Sequence, residues 1–521
     1  HYPLRRQRQM CIRDRVWNGV YVILDHCSAS WSVDEVLSCT GKTDNLTTQW
    51  CYVTEALDAS IHSKGPHGFG SIVASYLSAR LSWHHNLYAH NQSRNPRPGS
   101  YDGATINFDF RNNVLYNWGY FCGYSAASPE ATDMNYVANY LVKGPGSTTD
   151  SAFRGGGAST RIHQSGNKID LNKNAAFDGT DTGWSMFSGT YTQQATAFDF
   201  NQTNTTETAD LALQRVLSQA GALPWNRDTK DSAIAANVLA GTGGFVDSST
   251  EAGGYPTLAS TAALPDNDLD GMPNSWESAA GSDPNVANNN ADADADGYTD
   301  LEEYLNWLAA PHVMTAKDEV IDIDLVVQNG NRSGLTYSLS NPVNGTVSLL
   351  PDGRTARFTP TAGFQGLGSF NFSFTASGQT VVQTVGVAIT TGRPRDLTWT
   401  GTTATWDVGT TANFSNGASA ATFAQSDNVS FLQTGSNPTI TLSGTITPTT
   451  MTVNAAKNYI FNGGTLSGTM NLIKAGSGSL TLNAANAFTG GTSVTGGTVV
   501  LGNASAPVSY THLRAHETEA D

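Results

Sequence analysis

Short runs rich in β-branched and aromatic residues alternate with turn-forming residues over the first third of the chain. When these runs are aligned, one small or amide residue of each falls in register, at intervals of 24, 35, 27, 26 and 28 residues. The residues in register are Cys27, Cys51, Asn86, Asn113, Asn139 and Asn167. A period in the twenties without helical periodicity is typical of a solenoid of strands, along which stacked amides can hydrogen-bond. The pattern predicts a right-handed parallel β-helix with a core over residues 16–173.

The same register predicts the role of two of the cysteines. Cys27 and Cys51 occupy positions where asparagine stands in later runs. We therefore favour small, buried, stacking side chains at these two positions, with a disulfide between them as the alternative. Cys39 and Cys122 do not have the spacing of zinc ligands, so a zinc site is not expected.

The pattern changes after the predicted β-helix. Residues 174–264 are polar, and only Ala209 to Ala220 has apolar residues at helical spacing, which predicts a helix packed on the solenoid. Residues 313–392 alternate apolar and polar positions between turns, as in strands with one buried face. Residues 395–507 are rich in Thr, Ser, Gly and Asn. The predicted class is all-β, with a β-helix truncated at its N-terminus, a β-sandwich and a C-terminal β-solenoid of strand repeats.

Two acidic twelve-residue stretches, DNDLDGMPNSWE and DADADGYTDLEE, separate the predicted β-helix from the sandwich. Each has acidic or amide side chains at positions 1, 3, 5, 9 and 12 and glycine at position 6. This matches the loop that surrounds Ca²⁺ with hard oxygen ligands. The predicted ligands are Asp266, Asp268, Asp270, Asn274 and Glu277 in the first stretch, and Asp292, Asp294, Asp296, Asp300 and Glu303 in the second. The alternative is a solvated acidic linker without bound metal.

Both ends of the chain differ from the rest. Residues 1–15 carry five arginines, and their MCIRDR stretch resembles a translated transposon sequencing adapter. VSYTHL, which begins at Val508, resembles the reverse complement of that adapter. We therefore expect residues 1–15 and 508–521 to be adapter-like additions. Earlier coils and an export signal are expected to precede the chain.

Composition narrows the classes of function. A content of 52 glycines without a Gly-X-Y period and only 14% charged residues excludes collagen and coiled coils. A formal net charge of −16 argues against a nucleic-acid partner. No apolar run is long enough for a membrane span.

Four motifs carry a resemblance to a known family. They are DHCSASWSVDEVLS, TTQWCYVTEAL, HSKGPHGFGS and WHHNLYAHNQSRNPRPG, in the order in which the family has them. The chain resembles bacterial pectate lyases of polysaccharide lyase family 1 over about residues 16–173. The resemblance implies calcium-dependent β-elimination on polygalacturonate. A substrate of polymer size, together with the C-terminal modules, predicts a location outside the cell or at its surface, and the chain is expected to be a monomer.

The resemblance also implies roles for individual residues. Arg94 lies ten positions after His84 and opens an Arg-Asn-Pro element, which matches the catalytic base. Gly99 stands where the family has a second arginine, and we expect Arg97, two residues earlier, to bind the uronate carboxylate instead. Lys64 matches the substrate-binding lysine more loosely.

The calcium ligands of the family match only in part. Asp34 occupies one acidic position, but Ser38 occupies the acidic position four residues later, so adjacent Glu35 is expected to compensate. A further ligand would fall at Ile12, inside the adapter-like stretch. The predicted cofactor is Ca²⁺, because an acidic protein needs cations to bind an acidic polymer.

The remaining modules also resemble known ones. GTVSLLPDGRTARFTPTAGFQG resembles a bacterial immunoglobulin- or cadherin-like module. LIKAGSGSLTLNAANAFTGGTSVTGGTVVLGN resembles the autotransporter-associated β-strand repeats of surface-displayed proteins. The predicted domains are the lyase-like β-helix over 16–263, the acidic loops over 264–312, the sandwich over 313–392 and the repeats over 395–507.

Two other functions remain open. A hydrolase on the same fold would need grouped aspartates for inverting hydrolysis, which the motifs do not contain. A non-catalytic adhesin would bind polysaccharide without cleaving it, and the C-terminal modules suit that function. A set of histidines in the β-helix could form an acid–base or metal cluster, but we favour packing between coils for them. They are His26, His62, His67, His84, His85 and His90.

Overall fold

The structure is a computed structural model that describes residues 15–200, 205–256, 264–390, 395–417, 420–503 and the strand 509–513. The adapter-like residue Ile12, predicted as the position of a further ligand, lies outside the described residues. The chain forms two compact units, His1–Thr391 and Gly392–Asp521. The finer division of the first unit into domains stays a prediction.

Three parallel sheets run through the N-terminal part of the first unit. The first contains Arg15–Trp17, Ser38–Thr40, Ile72–Ser75 and Arg97–Ser100. The second contains Val20–Asp25, Asp44–Gln49, Arg80–His84, Thr105–Arg111, Ala131–Val137, Phe153–Ser165, Gly123–Tyr124 and Phe187–Gln193. The third contains Ser28–Ser30, Tyr52–Thr54, Leu87–Ala89, Val114–Tyr116, Tyr140–Val142 and Lys168–Asp170. This arrangement is a parallel β-helix, as predicted.

The predicted ladder of amides joins successive coils. The backbone N–H and the side-chain amide of Asn86 both donate to Asn113 Oδ1, at 3.0 Å each. Asn113 donates in the same way to Asn139, and Asn139 to Asn167. All four side chains are buried. The stacking prediction is therefore confirmed, and each buried amide has partners, as a low-dielectric interior requires.

The cysteine prediction is confirmed as well. Cys27 and Cys51 are unbonded to each other, and the Cys27 N–H donates to Cys51 Sγ at 3.4 Å. The Cys51 N–H donates to Asn86 Oδ1 at 2.9 Å. The two thiols therefore continue the asparagine ladder as small side chains, Cys51 buried and Cys27 half-buried.

Helices cover one side of the β-helix. Ala209–Gln219 begins after Thr208, whose side chain accepts from the Leu211 N–H, and its apolar side packs on the third sheet. Thr229–Ala240 begins after Asp228 and ends at Gly241, which has a left-handed φ of +66°. The sequence prediction found the first helix and missed the second. Two short 3₁₀ helices, Gly183–Met186 and Pro224–Asn226, complete this region.

Two further helices begin within the acidic stretches, and a two-sheet sandwich comes after them. The helices are Asn274–Ala280 and Asp300–Ala309. The four-stranded sheet contains His312–Ala316, Gln379–Thr390, Gly366–Ala376 and Tyr337–Val343. The three-stranded sheet contains Ile321–Asp324, Thr355–Pro360 and Gly345–Leu349. A short helix, Leu325–Gln328, joins the two sheets, and aromatic side chains fill the space between them.

Buried arginines attach the sandwich to the helical side of the β-helix. Arg332 Nη1 donates to Ser218 Oγ at 2.9 Å, and Arg332 Nη2 donates to Gln214 Oε1 at 2.9 Å. Arg227 Nη1 donates to the Gly330 carbonyl at 2.9 Å. Burial lowers the pKa of Arg332 to about 10. These contacts lie within the first compact unit, which also contains the acidic loops.

The second unit is a smaller stack of mostly parallel strands, as predicted for the repeat region. One sheet contains Ala420–Ala421, Phe414–Ser415, Asp396–Trp399, Asn428–Leu432, Thr450–Asn454, Asn471–Ala475, Gly491–Val494 and Ser509–Leu513. The other contains Thr405–Trp406, Thr439–Ile446, Tyr459–Gly468, Ser479–Leu482 and Thr498–Leu501, with Ala487–Phe488 beside it. Its core contains Trp399, Trp406 and several phenylalanines.

Candidate functional site

A cleft of about 310 Å³ opens on the β-helix beside the first sheet. Four of the five residues predicted for the lyase site line it: Asp34, Glu35, Lys64 and Arg94. The other lining residues are Arg15, Ser38, Thr40, His67, Ile72 and Tyr101. Residues far apart in sequence meet here because Glu35, Phe69 and Ser93 stand next to one another on successive coils.

Arg94 is held rigidly within this cleft. Its backbone has a left-handed φ of +59°, and its carbonyl accepts from the Ser71 N–H at 2.7 Å. The guanidinium lies over the Phe69 ring, with Cζ 4.1 Å from the ring centroid, and its Nε donates to Tyr124 Oη at 3.2 Å. An aromatic face and a hydroxyl acceptor both favour a fixed guanidinium orientation. Arg94 therefore has a set direction before any substrate enters.

Two carboxylates complete the surroundings of Arg94. Its Nη1 donates to Glu35 Oε1 and lies 3.6 Å from Asp34 Oδ1. No described residue accepts a hydrogen bond from Nη2, which leaves that nitrogen available to a ligand in the cleft. Glu35 was predicted as a calcium ligand. The structure places it against Arg94 instead of leaving it free, and its role toward a metal stays a prediction.

Asp34 lies between Arg94 and two imidazoles. His62 Nε2 is 3.7 Å from Asp34 Oδ2, and His67 Nε2 is 3.8 Å from Asp34 Oδ1. The two rings are stacked, with centroids 4.2 Å apart and planes 7° apart. Burial is the largest cause that lowers the pKa of His67, against the opposing effect of Asp34. Burial therefore favours the neutral form of the His67 imidazole.

Lys64 and Arg97 differ in their relation to the cleft. Lys64 is exposed and lines it, and the Lys64 backbone N–H donates to His62 Nδ1 at 3.2 Å. Arg97 does not line it, because Arg97 Nη2 donates to Glu130 Oε1 at 2.7 Å. A Cβ at Gly99 would stand 1.9 Å from Glu130 Oε2. The missing side chain at Gly99 thus makes room for the Arg97–Glu130 pair.

Three of the remaining histidines lie inside the coil stack. His84, His85 and His90 are buried, and burial lowers the pKa of His84 and of His90 to about 3. His84 Nδ1 and His85 Nδ1 are 3.0 Å apart, and His90 Nδ1 contacts Asn117 Nδ2 at 2.9 Å. Their packing agrees with the structural role favoured from the sequence.

The first acidic loop has a folded backbone and a buried closing carboxylate. Gly271 has a left-handed φ of +97°, and its N–H donates to Asp266 Oδ2 at 3.1 Å. Asp266, Asp268 and Asp270 bring carboxylate oxygens within 4.8 Å of one another. Glu277, on the helix that follows, is 0% exposed, and neither of its carboxylate oxygens has a hydrogen-bond partner among the described residues.

Electrostatics around Glu277 are unfavourable without a cation. Burial, followed by the charges of Asp268, Asp270 and Asp266, raises the pKa of Glu277 to about 7. Asp268 Oδ2 is likewise shielded from solvent without a described hydrogen-bond donor. Carboxylates brought together in this way need a neutralising charge. Hard oxygen donors, a glycine turn and an unpartnered buried glutamate fit Ca²⁺.

The second acidic loop is built alike but is more open. Asp292, Asp294 and Asp296 also have carboxylate oxygens within 4.8 Å of one another, and all three are exposed. Gly297 has a φ of +99°, and its N–H donates to Asp292 Oδ2 at 3.1 Å. Burial and the nearby aspartates raise the pKa of Glu303. The structure therefore brings three aspartates of each loop together, and the role of the predicted residues as calcium ligands stays a prediction.

Sequence reasoning missed two supports of Arg94, Phe69 and Tyr124. The signal for Tyr124 was present, because it follows Arg94 by 30 residues, about one coil of the solenoid. His67 was considered only as part of a general histidine set. Its relation to Asp34 depends on how the loop after the second coil folds, which a period along the strands does not describe.

Comparisons with known proteins agree with this architecture. A family model described as a bacterial Ig domain matches residues 306–388. A model described as a passenger-associated-transport-repeat matches residues 472–501. The sandwich is therefore Ig-like, and the second unit contains a repeat of this type. No helix in the described ranges is both long and apolar enough to cross a membrane.

Curated relatives match over about half of the chain. A probable pectate lyase C from Aspergillus flavus is 30% identical over 295 residues, which cover 56% of this chain and 66% of the relative. Proteins of the same description from Neosartorya fischeri and Aspergillus fumigatus are 31% and 32% identical over 301 residues, with the same coverage. The chain thus spans just under two thirds of the length of these relatives.

Proposed function

We propose that this chain is a pectate lyase, which cleaves polygalacturonate by β-elimination to 4,5-unsaturated oligogalacturonates. The observation that carries the proposal is the convergence of Arg94, Lys64, Asp34 and Glu35 on one cleft of a parallel β-helix. The similarity to probable pectate lyases supports the same conclusion. Lys64 and Arg94 place positive charge where an acidic polymer has to bind, although the whole chain has a net charge of −16.

The reaction needs a base near C5 of a uronate and positive charge near its carboxylate. The base removes the C5 proton, and the electrons of that bond form the C4–C5 double bond. The C4–O bond breaks, and water protonates the departing sugar oxygen. Arg94 is the residue that we assign to C5, and Lys64 is assigned to the carboxylate.

The surroundings of Arg94 support its assignment through position. Phe69 and Tyr124 hold one side of the guanidinium, and Glu35 holds Nη1, so that Nη2 is the nitrogen that faces a ligand. A positioned base contributes about 10²–10⁴-fold to a rate. Guanidinium normally keeps its proton, so activity is expected to rise toward alkaline pH. Arg97 is bound to Glu130, and its assignment to substrate requires that pair to open.

Calcium has its best donor set in the acidic loops. The first loop would hold Ca²⁺ through Asp266, Asp268, Asp270, Asn274 and Glu277, and the second through Asp292, Asp294, Asp296, Asp300 and Glu303. Both loops lie within the unit that contains the cleft. A bound ion would neutralise the carboxylates and stabilise the fold of the unit, so calcium dependence of activity is expected at least in part through stability.

The cleft offers calcium a poorer set of donors. Ca²⁺ takes six to eight oxygen ligands. Around Asp34 the described neighbours are His62, His67 and Arg94, and Ser38 stands where the family has an acidic residue. The residues present do not fit calcium there, and the predicted role of Asp34 and Glu35 as calcium ligands lacks support from the donor set.

An absorbance assay on polygalacturonate separates the functions. A lyase produces unsaturated products that absorb in the ultraviolet, a hydrolase produces only reducing ends, and a non-catalytic adhesin produces neither. The Ig-like sandwich and the transport repeat are the observations that favour an adhesin. Polymer binding without any product would establish that alternative and overturn the lyase.

The same two modules support a location outside the cell or at a bacterial cell surface. A polymeric substrate also requires an enzyme outside the cell. Secretion by the natural host, followed by fractionation of the culture, tests this location, and retention in the cytoplasm would contradict it. The monomeric state stays a prediction, which light scattering would check.

A further inference from the structure

The loop after the second coil brings two imidazoles to the carboxylate of Asp34. His62 Nε2 and His67 Nε2 approach different oxygens of Asp34, at 3.7 Å and 3.8 Å. The three ligand atoms lie within 4.8 Å of one another. Asp34 Oδ1 is shielded from solvent and accepts no hydrogen bond from any residue that the structure describes. The cluster is therefore a set of converging donors with an oxygen left unsatisfied.

We infer that Asp34, His62 and His67 form a site for a divalent transition-metal ion of the imidazole-binding class, such as Co²⁺, Ni²⁺ or Zn²⁺, in the cleft. Imidazole nitrogen suits these ions, whereas Ca²⁺ and Mg²⁺ prefer oxygen. Two histidines and one carboxylate are also a donor set found in metal sites that keep a position open. The open position would face the cleft, where a uronate carboxylate binds.

The spacing of the ligand atoms is close to what such an ion requires. With metal–ligand bonds of about 2.0–2.1 Å, tetrahedral ligand atoms stand about 3.4 Å apart. The observed 3.7 Å and 3.8 Å separations between imidazole nitrogen and carboxylate oxygen are close to this value. Because the two rings are stacked with planes 7° apart, one imidazole has to rotate before both Nε2 atoms can bind the same ion.

The two histidines are not equally ready to bind a metal ion. Among the described residues, no side chain hydrogen-bonds the His67 ring, so His67 Nε2 can bind a metal without losing a hydrogen bond. His62 Nδ1 accepts from the Lys64 N–H at 3.2 Å, and this bond is lost if Nε2 binds the metal and the proton moves to Nδ1. His67 is therefore the stronger ligand, and His62 contributes less.

The charges nearby allow a second cation. Arg94 has Glu35 as its closest partner, which compensates its charge and leaves Asp34 as the less neutralised carboxylate. Lys64 is exposed and can turn away from the ion. The role of the metal in substrate binding rests on the proposed function, but the metal site itself does not.

A cobalt titration of the full chain tests the site. Excess Ca²⁺ is present throughout so that the oxygen-only acidic loops are filled, and visible absorbance reports imidazole-bound Co²⁺. We expect a saturable band in the unmodified chain. His67→Ala should weaken binding by at least about tenfold, since even the loss of a supporting partner costs metal sites 10–100-fold. His62→Ala should weaken it less, and His26→Ala, outside the cleft, should leave it unchanged.

Three results would overturn the site. They are the absence of any band in the unmodified chain, the persistence of the band in the His62→Ala/His67→Ala double variant, and loss of the band when the excess of Ca²⁺ is raised further. The first and third need no variant, so misfolding of a variant does not protect the inference. Because the readout is metal binding, a band without unsaturated product would support the metal site and contradict the proposed lyase activity. Unsaturated product without a band would support the lyase activity and contradict the metal site.

Discussion

In the cleft, Asp34 and Glu35 lie beside one guanidinium and two imidazoles, whereas in the first acidic loop Glu277 lies beside three aspartates. Glu35 is satisfied by Arg94 within the protein. Glu277 is fully buried, and its oxygens have no partner among the described residues. The first cluster can exist without a metal, and the second is electrostatically incomplete.

The same residue type therefore has different roles in the two clusters. The groups around a carboxylate set its chemistry. Next to cationic side chains it forms part of a binding surface, whereas next to other carboxylates it needs a bound cation to neutralise the charge. Variants that change the charges in either cluster test this contrast.

The largest effect is expected in the cleft, for Arg94→Lys. Lysine keeps the charge but loses the planar contacts to Phe69, Tyr124 and Glu35, so the reacting nitrogen moves. Turnover on polygalacturonate should fall about 10²-fold or more, with little change in substrate affinity. The matched control is Arg80→Lys, an exposed arginine of the second sheet, which should keep normal turnover. Near-normal turnover in Arg94→Lys with a loss in Arg97→Lys would exchange the two roles.

Ser38→Asp, together with His62→Ala and His67→Ala, should convert the cleft into an oxygen site. The change restores an acid four residues after Asp34 and removes the imidazoles. We expect a calcium site to appear in the cleft with affinity at least about tenfold above the unmodified cleft, since charge count sets calcium affinity. Isothermal titration in an Asp270→Asn/Asp296→Asn background, which weakens the loops, measures it. Unchanged calcium uptake would show that donor type does not distinguish the two clusters.

Glu277→Gln should remove most of the thermal stabilisation by calcium. Ca²⁺ at 100 times its Kd stabilises a folded site by about 2.7 kcal/mol, which corresponds to several degrees in Tm. The glutamine keeps the shape but not the charge. Glu303→Gln, in the exposed second loop, is the matched control and should lose less. Equal losses in the two variants would contradict the difference in burial between the loops. The change in Tm with Ca²⁺ is followed by circular dichroism.

The smallest effect is a pH dependence of the calcium-free chain. The pKa of Glu277 is raised to about 7 in the folded state, above the usual 4.5. The folded state therefore binds more protons between these values, and the Glu277 contribution to stability improves as pH falls from 7 toward 4.5. In EGTA, Glu277→Gln should exceed the unmodified chain in Tm at pH 7.5 and approach it at pH 4.5. Comparing the two chains cancels the opposite trend of the buried histidines His84 and His90. A Tm difference that does not vary with pH would mean that the pKa of Glu277 is not raised in the folded state.

Much of the fold follows from local pattern. The period of the strands placed Asn86, Asn113, Asn139 and Asn167 on one ladder, because every coil repeats the same strand and turn. The helix Thr229–Ala240 was not predicted from the sequence, although Asp228 and Gly241 cap it. Its apolar residues are spread around the helix instead of forming a clear stripe. The acidic loops could be predicted from the sequence because the candidate ligands of each loop lie within twelve positions.

Features that depend on short separations follow from the amino-acid sequence alone: the coil period, the amide ladder, the twelve-residue loops and the run of motifs that contains Arg94. Which partners these residues have depends on contacts between distant parts of the chain. Glu35 and Arg94 are 59 residues apart, and Arg97 and Glu130 are 33 apart. Asp34 meets His62 and His67 through a loop whose length varies from coil to coil. Such contacts depend on how loops fold over successive coils, and the free energy of a charge depends on those neighbours more than on the residue type.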